Sequence, residues 1–204
     1  RYVDGIMLRA ALHDNLSRLA NAATVPVING LTNRTHPCQV MADLQTLEER
    51  KGDVAKNTIA WVGDGNNVAA SWVHAIGQLG GEFRLGCPAE FSMEKPVMDW
   101  ARNKGANVTE MTSPIEAVEG ADCVITDSWV SMHDKDFEDR HTLLAPYQVN
   151  QKLMNKAKSD AIFMHCLPAH RNEEVTDAVF DGPQSVVLDE AENRMHIQKA
   201  ILLH

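Results

Sequence analysis

Residues 61–68, Trp-Val-Gly-Asp-Gly-Asn-Asn-Val, join an apolar run to a helical pattern through a glycine-containing turn. The apolar run begins at Thr58 and has the length of a buried strand, and the helical pattern continues to about Leu79. Gly63 and Gly65 provide the conformational freedom that a tight strand-to-helix turn needs. Such a unit is typical of a parallel sheet whose strands are connected by helices.

The same alternation continues on both sides of this unit. Apolar runs predict strands at residues 25–29, 58–62, 82–87, 106–109, 122–126, 161–165 and 185–188. Helical patterns cover the opening segment to about Ala22, a stretch from Pro37 to Gly52, and the last residues of the chain. Right-handed crossovers place helices on both faces, so we expect an α/β fold with a doubly wound, mainly parallel sheet. Ligands in such sheets bind at the carboxyl ends of the strands.

The composition excludes several classes of protein. Of 204 residues, 44% are hydrophobic, and 28 acidic residues against 19 Lys and Arg give a net charge of −9. This sign disfavours nucleic-acid or anionic-membrane binding. No apolar run approaches the roughly 18 to 20 residues that span a bilayer, and the opening residues lack a signal-peptide pattern. The cysteines form no CxxC pair, so we expect free thiols, no metal and a cytoplasmic protein.

The glycine turn has several interpretations. Gly63 and Gly65 are half of a dinucleotide-binding fingerprint, but Val68 replaces its third glycine. Glu82 is the acidic residue nearest the expected ribose-binding distance. The glycines could equally serve only the turn. The amides that follow, Asn66 and Asn67, can bind a small polar ligand or cap the helix.

A second candidate is His36-Pro37-Cys38-Gln39, at the start of a predicted helix. His36 and Gln39 are three positions apart, so both lie on one face at the positive end of the helix dipole. This geometry suits an oxygen-rich anion, although a histidine before a proline can also be a helix cap.

Two further candidates follow predicted strands. Asp127 and Ser131 offer a carboxylate and a hydroxyl to an ammonium-bearing ligand, unless Asp127 only stabilises its own turn. Cys166 in His165-Cys166-Leu167-Pro168 lies on the same edge, unless it is an inert buried thiol like many others. The charged residues 133–141 predict a mobile loop between them.

The closing helix carries Glu192-Asn193-Arg194, with Asp189 and Glu190 in its first turn. Arg194 can bind an anion, or it can pair with Glu190 at the i,i+4 spacing.

In order and spacing these motifs resemble the ornithine carbamoyltransferases along nearly the whole chain. The family's His-Pro-x-Gln, Gly-Asp…Asn-Asn, Asp-x-x-x-Ser-Met, His-Cys-Leu-Pro and Glu-Asn-Arg stretches look like residues 36–39, 63–67, 127–132, 165–168 and 192–194. By the same resemblance Arg9, in Ile-Met-Leu-Arg, is the family's early carbamoyl-phosphate arginine.

The resemblance implies transfer of a carbamoyl group from carbamoyl phosphate to the δ-amine of L-ornithine, with no cofactor. It further implies a homotrimer, a place in arginine biosynthesis and the cytoplasm. The carbamoyl-phosphate residues it implies are Arg9, His36, Gln39, Cys166, Leu167 and Arg194, and the ornithine residues are Asn67, Asp127, Ser131 and Met132. The implied catalytic residues are Cys166, Asp127, His36 and Arg9. Within that reaction we expect Cys166 to orient the substrate rather than to act as a nucleophile. In the family this cysteine is described as the residue that accepts the proton of the δ-amine.

The sequence departs from the family in two places. The family's phosphate-binding Ser-x-x-Thr loop has no counterpart, and His133 stands where a glycine is usual. We therefore expect a carboxyl-terminal piece that is inactive alone. The expected parts are residues 1–35, the end of the carbamoyl-phosphate domain; 36–51, a linking helix; 52–188, the ornithine-binding domain; and 189–204, a returning helix.

Alternative functions are a transcarbamoylase for putrescine, aspartate or acetylated ornithine, a Rossmann-type nucleotide-binding domain, and a ligand-binding or assembly module without turnover.

Overall fold

The computed structural model describes residues 2–130 and 137–203, and two parallel sheets lie within them. The strands are β1 (Ile6–Arg9), β2 (Val27–Leu31), β3 (Thr58–Val62), β4 (Glu82–Gly86), β5 (Asn107–Met111), β6 (Cys123–Thr126) and β7 (Ile162–His165). Strands β1 and β2 pair with each other, and the other five have the order β5-β4-β3-β6-β7 with every pairing parallel.

Helices connect most of these strands. They are α1 (His13–Ala22), α2 (Pro37–Lys51), α3 (Asn67–Leu79), α4 (Lys95–Lys104), α5 (Pro114–Val118), α6 (Phe137–Leu144), α7 (Gln151–Met154), α8 (Asp177–Phe180) and α9 (Val187–Leu203). Short 3-10 turns lie at Val54–Lys56, Ala89–Phe91 and Ala145–Tyr147. As predicted, α2 starts at Pro37 and stops before Gly52, whose φ of 76° suits a residue without a side chain.

The central strands are buried on both faces. Along β3, Ile59 and Trp61 pack against α2, α3 and α4, whereas Ala60 and Val62 pack against α5, α7 and α8. Successive side chains of a strand point to opposite faces, so one apolar run supports both cores. The prediction of a doubly wound, mainly parallel α/β sheet is confirmed.

The strand order reverses between β3 and β6. From β3 the chain moves outward to β4 and β5, and then returns to the other side of β3 to form β6 and β7. The loops that leave neighbouring strands at such a point diverge and open a crevice. Here those loops are residues 63–67 and the segment that begins at Asp127.

Helix α9 packs along α2. Asn193 Nδ2 donates to Thr46 Oγ1 at 2.9 Å, and Arg50 pairs with Asp189 at 2.6 Å. This contact joins the last helix to the helix that precedes the main sheet.

Two predicted elements are wrong. Residues 185–188 do not form a strand, because Ser185 makes only an isolated bridge to Phe163 and α9 begins at Val187. Val186 and Val187 are buried in the two cores, which gives the run its strand-like apolar character. The opening segment is also not helical throughout, since β1 is paired with β2 before α1 begins.

The predicted mobile loop at residues 133–141 is partly helical. Helix α6 covers residues 137–144, and residues 133–136 lie outside the described part of the chain. No helix in the described ranges is long and apolar enough to cross a membrane.

Candidate active site

Two strand ends meet at Asp127, the residue after β6. Its Oδ1 accepts hydrogen bonds from the Cys166 thiol at 3.2 Å and from the Ser128 backbone amide at 2.8 Å. Its Oδ2 accepts from Asn66 Nδ2 at 2.8 Å. The Ser128 hydroxyl also donates to Pro168 O at 2.9 Å. The bond from Ser128 fits a turn-stabilising aspartate, but those from Cys166 and Asn66 also fix the carboxylate at the point where the strand order reverses.

The two asparagines of the glycine turn have different partners. Asn66 Oδ1 accepts from the backbone amides of Val68 and Ala69 at 2.9 and 3.1 Å, so Asn66 caps α3. Asn67 Nδ2 donates to Thr32 O at 2.7 Å. The turn therefore connects Asp127 through Asn66 to the segment before α2 through Asn67.

The geometry of the turn disfavours a nucleotide. The first amides of α3, which would bind a pyrophosphate, are already bonded to Asn66. A Cβ on Gly65 would lie 2.7 Å from Phe91 O and 2.8 Å from Met93 N, so the chain itself occupies the space beside this glycine. Glu82 is the first residue of β4, so it lies at the end of the strands opposite the turn. It is hydrogen bonded to Thr58 and Arg84.

A buried hydrogen bond between His165 and Glu174 supports the loop that carries Cys166. His165 Nδ1 accepts from the Leu167 backbone amide at 2.9 Å, so Nε2 holds the ring proton and donates to Glu174 Oε1 at 3.2 Å. Burial raises the pKa of Glu174, but hydrogen bonds from His165 and from the His170 backbone outweigh it and leave the pKa lowered. Leu167, predicted to contact carbamoyl phosphate, has a φ of 56° and precedes a cis proline. A left-handed leucine is uncommon, so its neighbours must hold the backbone here.

Cys166 holds a proton at neutral pH. Burial, the charge and hydrogen bond of Asp127, and the charges of Glu190 and Asp43 raise the pKa of the thiol well above its ordinary value. A thiol in this state donates a hydrogen bond and is a poor nucleophile, because the thiolate is the reactive form.

His36, just before α2, is buried and neutral. Its backbone amide donates to Ser71 Oγ at 2.7 Å. Burial, with repulsion by Arg194 and Arg9, lowers the pKa of the imidazole to about 4. Its Nδ1 is buried and has no hydrogen-bond partner among residues 2–130 and 137–203. The site thus supplies a neutral ring near two cations.

Gln39 and Arg194 contact each other across α2 and α9. Arg194 Nη1 donates to Gln39 Oε1, and Gln39 Nε2 donates to Asp43 Oδ1 at 2.7 Å and to Glu190 Oε1 at 3.2 Å. Gln39 is only 1% exposed. In the described part of the chain Arg194 Nε is buried without a partner, and the i,i+4 residue Glu190 does not take it. A buried cationic donor without a partner is expected where an anionic ligand binds.

Glu190 connects Gln39 and Arg194 with the loop that carries Cys166. Its Oε2 accepts from the His165 backbone amide at 2.8 Å, immediately before Cys166.

Arg9 ends β1 with an exposed side chain, near enough to His36 to disfavour its charged form. Ser131 and Met132, predicted to bind ornithine, lie outside the described residues.

Sequence reasoning missed a further contact of the site. Arg140 in α6 pairs with Asp64 in the glycine turn and donates from Nε to Trp129 O at 2.9 Å. Its guanidinium lies 4.3 Å from the centre of the Phe91 ring. The partners are far apart in the chain, and no spacing rule relates them.

One group of side chains in the site has the composition of a metal centre. Ligand atoms of Asp127, His165 and Cys166 lie within 4.8 Å of one another. Both ring nitrogens of His165 are already used by Leu167 and Glu174, so the imidazole has no lone pair free for a metal.

Comparisons with known proteins give one consistent result. Residues 55–204 match the family model of the aspartate/ornithine carbamoyltransferase Asp/Orn binding domain, and residues 1–49 match the carbamoyl-P binding domain of the same family. The chain is 63% identical over 202 residues to an ornithine carbamoyltransferase of Rhodopseudomonas palustris and 61% identical to one of Nitrobacter winogradskyi. It covers 65% and 66% of those proteins, which cover 99% of the chain.

Solved structures agree with the sequence comparisons. The ornithine carbamoyltransferase of Pyrococcus furiosus superposes with a TM-score of 0.94 at 46% identity, covering 99% of this chain and 66% of its own. The enzyme of Thermus thermophilus gives a TM-score of 0.91 at 39% identity, covering 100% of this chain and 67% of its own.

Proposed function

The chain belongs to the aspartate/ornithine carbamoyltransferase family, and from that premise we propose that the protein transfers the carbamoyl group of carbamoyl phosphate to the δ-amine of L-ornithine, giving L-citrulline and phosphate. One observation carries the proposal: Asp127 and Cys166 are hydrogen bonded at 3.2 Å where the strand order reverses. The loop of Cys166 is in turn tied through Glu190 to Gln39 and Arg194.

The anionic substrate is held by cations and neutral donors. Arg9 and Arg194 neutralise the phosphate, and a guanidinium can do so with paired hydrogen bonds. Gln39 contributes by holding Arg194, since its own amide is bonded to protein groups. Leu167 follows Cys166 in the chain and contacts carbamoyl phosphate through its backbone.

His36 stabilises the transition state as a neutral hydrogen-bond donor. A pKa of about 4 keeps the imidazole uncharged at neutral pH, and one ring nitrogen still carries a proton. That N–H donates to the carbamoyl oxygen as negative charge develops on it. One such donor is worth about 3 to 4 kcal/mol in other enzymes.

Ornithine binds on the opposite side. Asp127 pairs with the α-ammonium, and Asn67, Ser131 and the Met132 backbone bind the amino-acid end. Buried polar groups left without partners penalise an analogue that lacks these features. The Asp127 carboxylate is already oriented by Asn66 and Cys166, so little freedom is lost on binding.

The chemical step needs no covalent intermediate. The neutral δ-amine attacks the carbamoyl carbon, the bond from that carbon to the phosphate oxygen breaks, and phosphate leaves with the electron pair. The new C–N nitrogen loses one proton, which the departing phosphate takes up. Cys166 enters the step as a protonated thiol whose hydrogen bond orients Asp127, and its raised pKa supports orientation over nucleophilic attack.

We further propose that the 204 residues act with a segment they do not contain. In this view residues 1–35 end the carbamoyl-phosphate domain, residues 36–51 link the domains, residues 52–188 bind ornithine and residues 189–204 return to the first domain. The absent Ser-x-x-Thr phosphate loop supports this division, and the chain alone is then inactive. The complete protein is a cytoplasmic homotrimer of arginine biosynthesis in this proposal.

A substrate panel tests the proposal. The protein that carries this chain together with a phosphate-binding domain is assayed with carbamoyl phosphate and ornithine, putrescine, aspartate or N-acetylornithine. Citrulline formation with ornithine as the best substrate supports the proposal. A preference for another amine, or nicotinamide nucleotide binding without carbamoyl transfer, contradicts it.

A further inference from the structure

Two buried carboxyl groups face each other between α2 and α9, behind Gln39 and Arg194. Asp43 and Glu190 are each 1% exposed. Both accept a hydrogen bond from Gln39 Nε2, at 2.7 and 3.2 Å. Each carboxyl group also acts on the pKa of the other, so the two lie close together. Two carboxylates this close in a buried setting do not both ionise, because the repulsion and the desolvation are too costly.

Within residues 2–130 and 137–203, Arg194 is the cation whose charge acts on Asp43. Arg194 on α9 and Gln39 on α2 face the pair. Trp72 on α3 contacts Asp43. From β6 and the loop after β7, Cys123 and Cys166 face it as protonated thiols, since burial and the pair's own charge raise the pKa of both. One positive charge balances one negative charge, so a single proton on the pair is the favoured state. Burial accordingly raises the pKa of Asp43 to about 7 and that of Glu190 well above its ordinary value.

We propose that Asp43 and Glu190 share one proton and are positioning residues: as a monoanion they fix the amide orientation of Gln39, and Gln39 in turn holds the guanidinium of Arg194. The argument is one of donors and acceptors. The Gln39 nitrogen must face the carboxyl oxygens, so its oxygen is presented to Arg194. If the Gln39 amide were reversed, its nitrogen would face the guanidinium of Arg194, and two hydrogen-bond donors would meet.

Glu190 extends this control to the second half of the site. Its Oε2 accepts from the His165 backbone amide at 2.8 Å, so it also fixes the strand end before Cys166. One proton-sharing pair therefore aligns both the phosphate-binding arginine and the loop of Cys166 and Leu167. The kinetic consequence depends on the proposed function, whereas the shared proton does not.

Infrared spectroscopy of the complete protein tests the shared proton directly. The carbonyl stretch of a protonated carboxyl group is expected at neutral pH. Glu190→Gln and Asp43→Asn should each abolish it, because either amide leaves the other residue ionised with the same total charge. If the band survives in Asp43→Asn, Glu190 holds its own proton and the sharing is refuted, whether or not the protein transfers carbamoyl groups.

Steady-state kinetics test the positioning role. Each single variant keeps the monoanion and is expected to raise the KM for carbamoyl phosphate by about 3-fold. The double variant removes the charge and is expected to raise this KM by about 30-fold or more. If the two residues acted independently, the double variant would raise it by about 9-fold. A double variant that equals the product of the single variants would overturn the positioning role.

Thr46→Val is the matched control. It removes a buried hydrogen bond between α2 and α9, from Asn193 at 2.9 Å, without touching Gln39 or Arg194. It should lower stability and leave KM unchanged. An equal rise of KM in this variant and in the double variant would show that helix packing alone is at work. If wild type forms no citrulline, the proposed function fails and the infrared result still decides the shared proton.

Discussion

The Cys166 thiol donates a hydrogen bond of 3.2 Å to Asp127 Oδ1, and this bond joins the ends of β6 and β7. It makes the cysteine part of the machinery that orients a carboxylate. The raised pKa of the thiol agrees with that role, since only the protonated form can donate.

Replacing Cys166 with serine separates orientation from covalent catalysis. A serine hydroxyl can donate to Asp127, but its C–O bond is shorter than the C–S bond and the contact is weakened. Cys166→Ser in the complete protein should therefore raise the KM for ornithine by about 10-fold while lowering kcat less. Steady-state kinetics measure the ratio. Ser128→Ala, which removes the bond to Pro168 O but keeps the one from Cys166 to Asp127, should change KM less. A trapped carbamoyl-thioester, or a large loss of kcat at unchanged KM, would contradict orientation.

Changing Asn66 to aspartate tests the other support of Asp127. An aspartate keeps the oxygen that caps α3 but replaces the donor at 2.8 Å with a second carboxylate. Two carboxylates at this distance repel each other, so Asp127 leaves the position in which the Asn66 donor holds it, and we expect at least about a 10-fold loss of kcat/KM for ornithine. Stability should change by less than the roughly 1 kcal/mol that loss of a helix cap costs.

The matched variant Asn66→Ala loses both the cap and the donor. It should therefore melt at a lower temperature than Asn66→Asp, by calorimetry at pH 7. If both variants keep wild-type affinity for ornithine, Asn66 serves only α3.

Much of the fold follows from local patterns. The run that starts at Thr58 is β3 as predicted, because alternate apolar side chains that serve two cores give a continuous apolar strand. The run at residues 185–188 shows the same burial, yet the chain turns into α9 there. Apolar length alone does not distinguish a strand from a buried helix start.

The site was less accessible to sequence reasoning. Motif order identified the family, which the comparisons confirm, and the site residues it implied remain a prediction. Spacing within one helix offered Glu190 as a partner for Arg194, whereas Glu190 faces Gln39 on α2, 151 residues away in the chain. Contacts between distant elements depend on how their faces pack, and no local period contains that information.

Gly65 provides a test of why the turn contains glycine. A methyl group there would meet Phe91 O at 2.7 Å and Met93 N at 2.8 Å, and backbone atoms cannot move aside cheaply. Gly65→Ala should cost about 1 to 3 kcal/mol of unfolding free energy in urea. At Gly5 the nearest atom to the same methyl is Pro26 O at 3.7 Å, so Gly5→Ala should cost nothing or stabilise slightly. Equal stability of the two variants would leave the turn glycine without a packing reason.

The lowered pKa of His36 predicts how stability depends on pH. The unfolded imidazole binds a proton near pH 6.5 and the folded one only near pH 4, so the unfolded state holds more protons between these values. Stability conferred by the neutral ring is therefore present above pH 6.5 and is lost as the pH falls toward 4. At about 1.4 kcal/mol per pKa unit the loss amounts to about 3 kcal/mol. Urea unfolding from pH 7 to 4, compared between wild type and His36→Asn, isolates this contribution from the carboxylates. The same variant should lose about 100-fold in kcat/KM, because the asparagine side chain is shorter than the imidazole and no longer places its donor at the carbamoyl oxygen. An NMR titration of the His36 ring with a midpoint near 6.5, or parallel stability curves for the two proteins, would show that the ring is not held neutral by its neighbours.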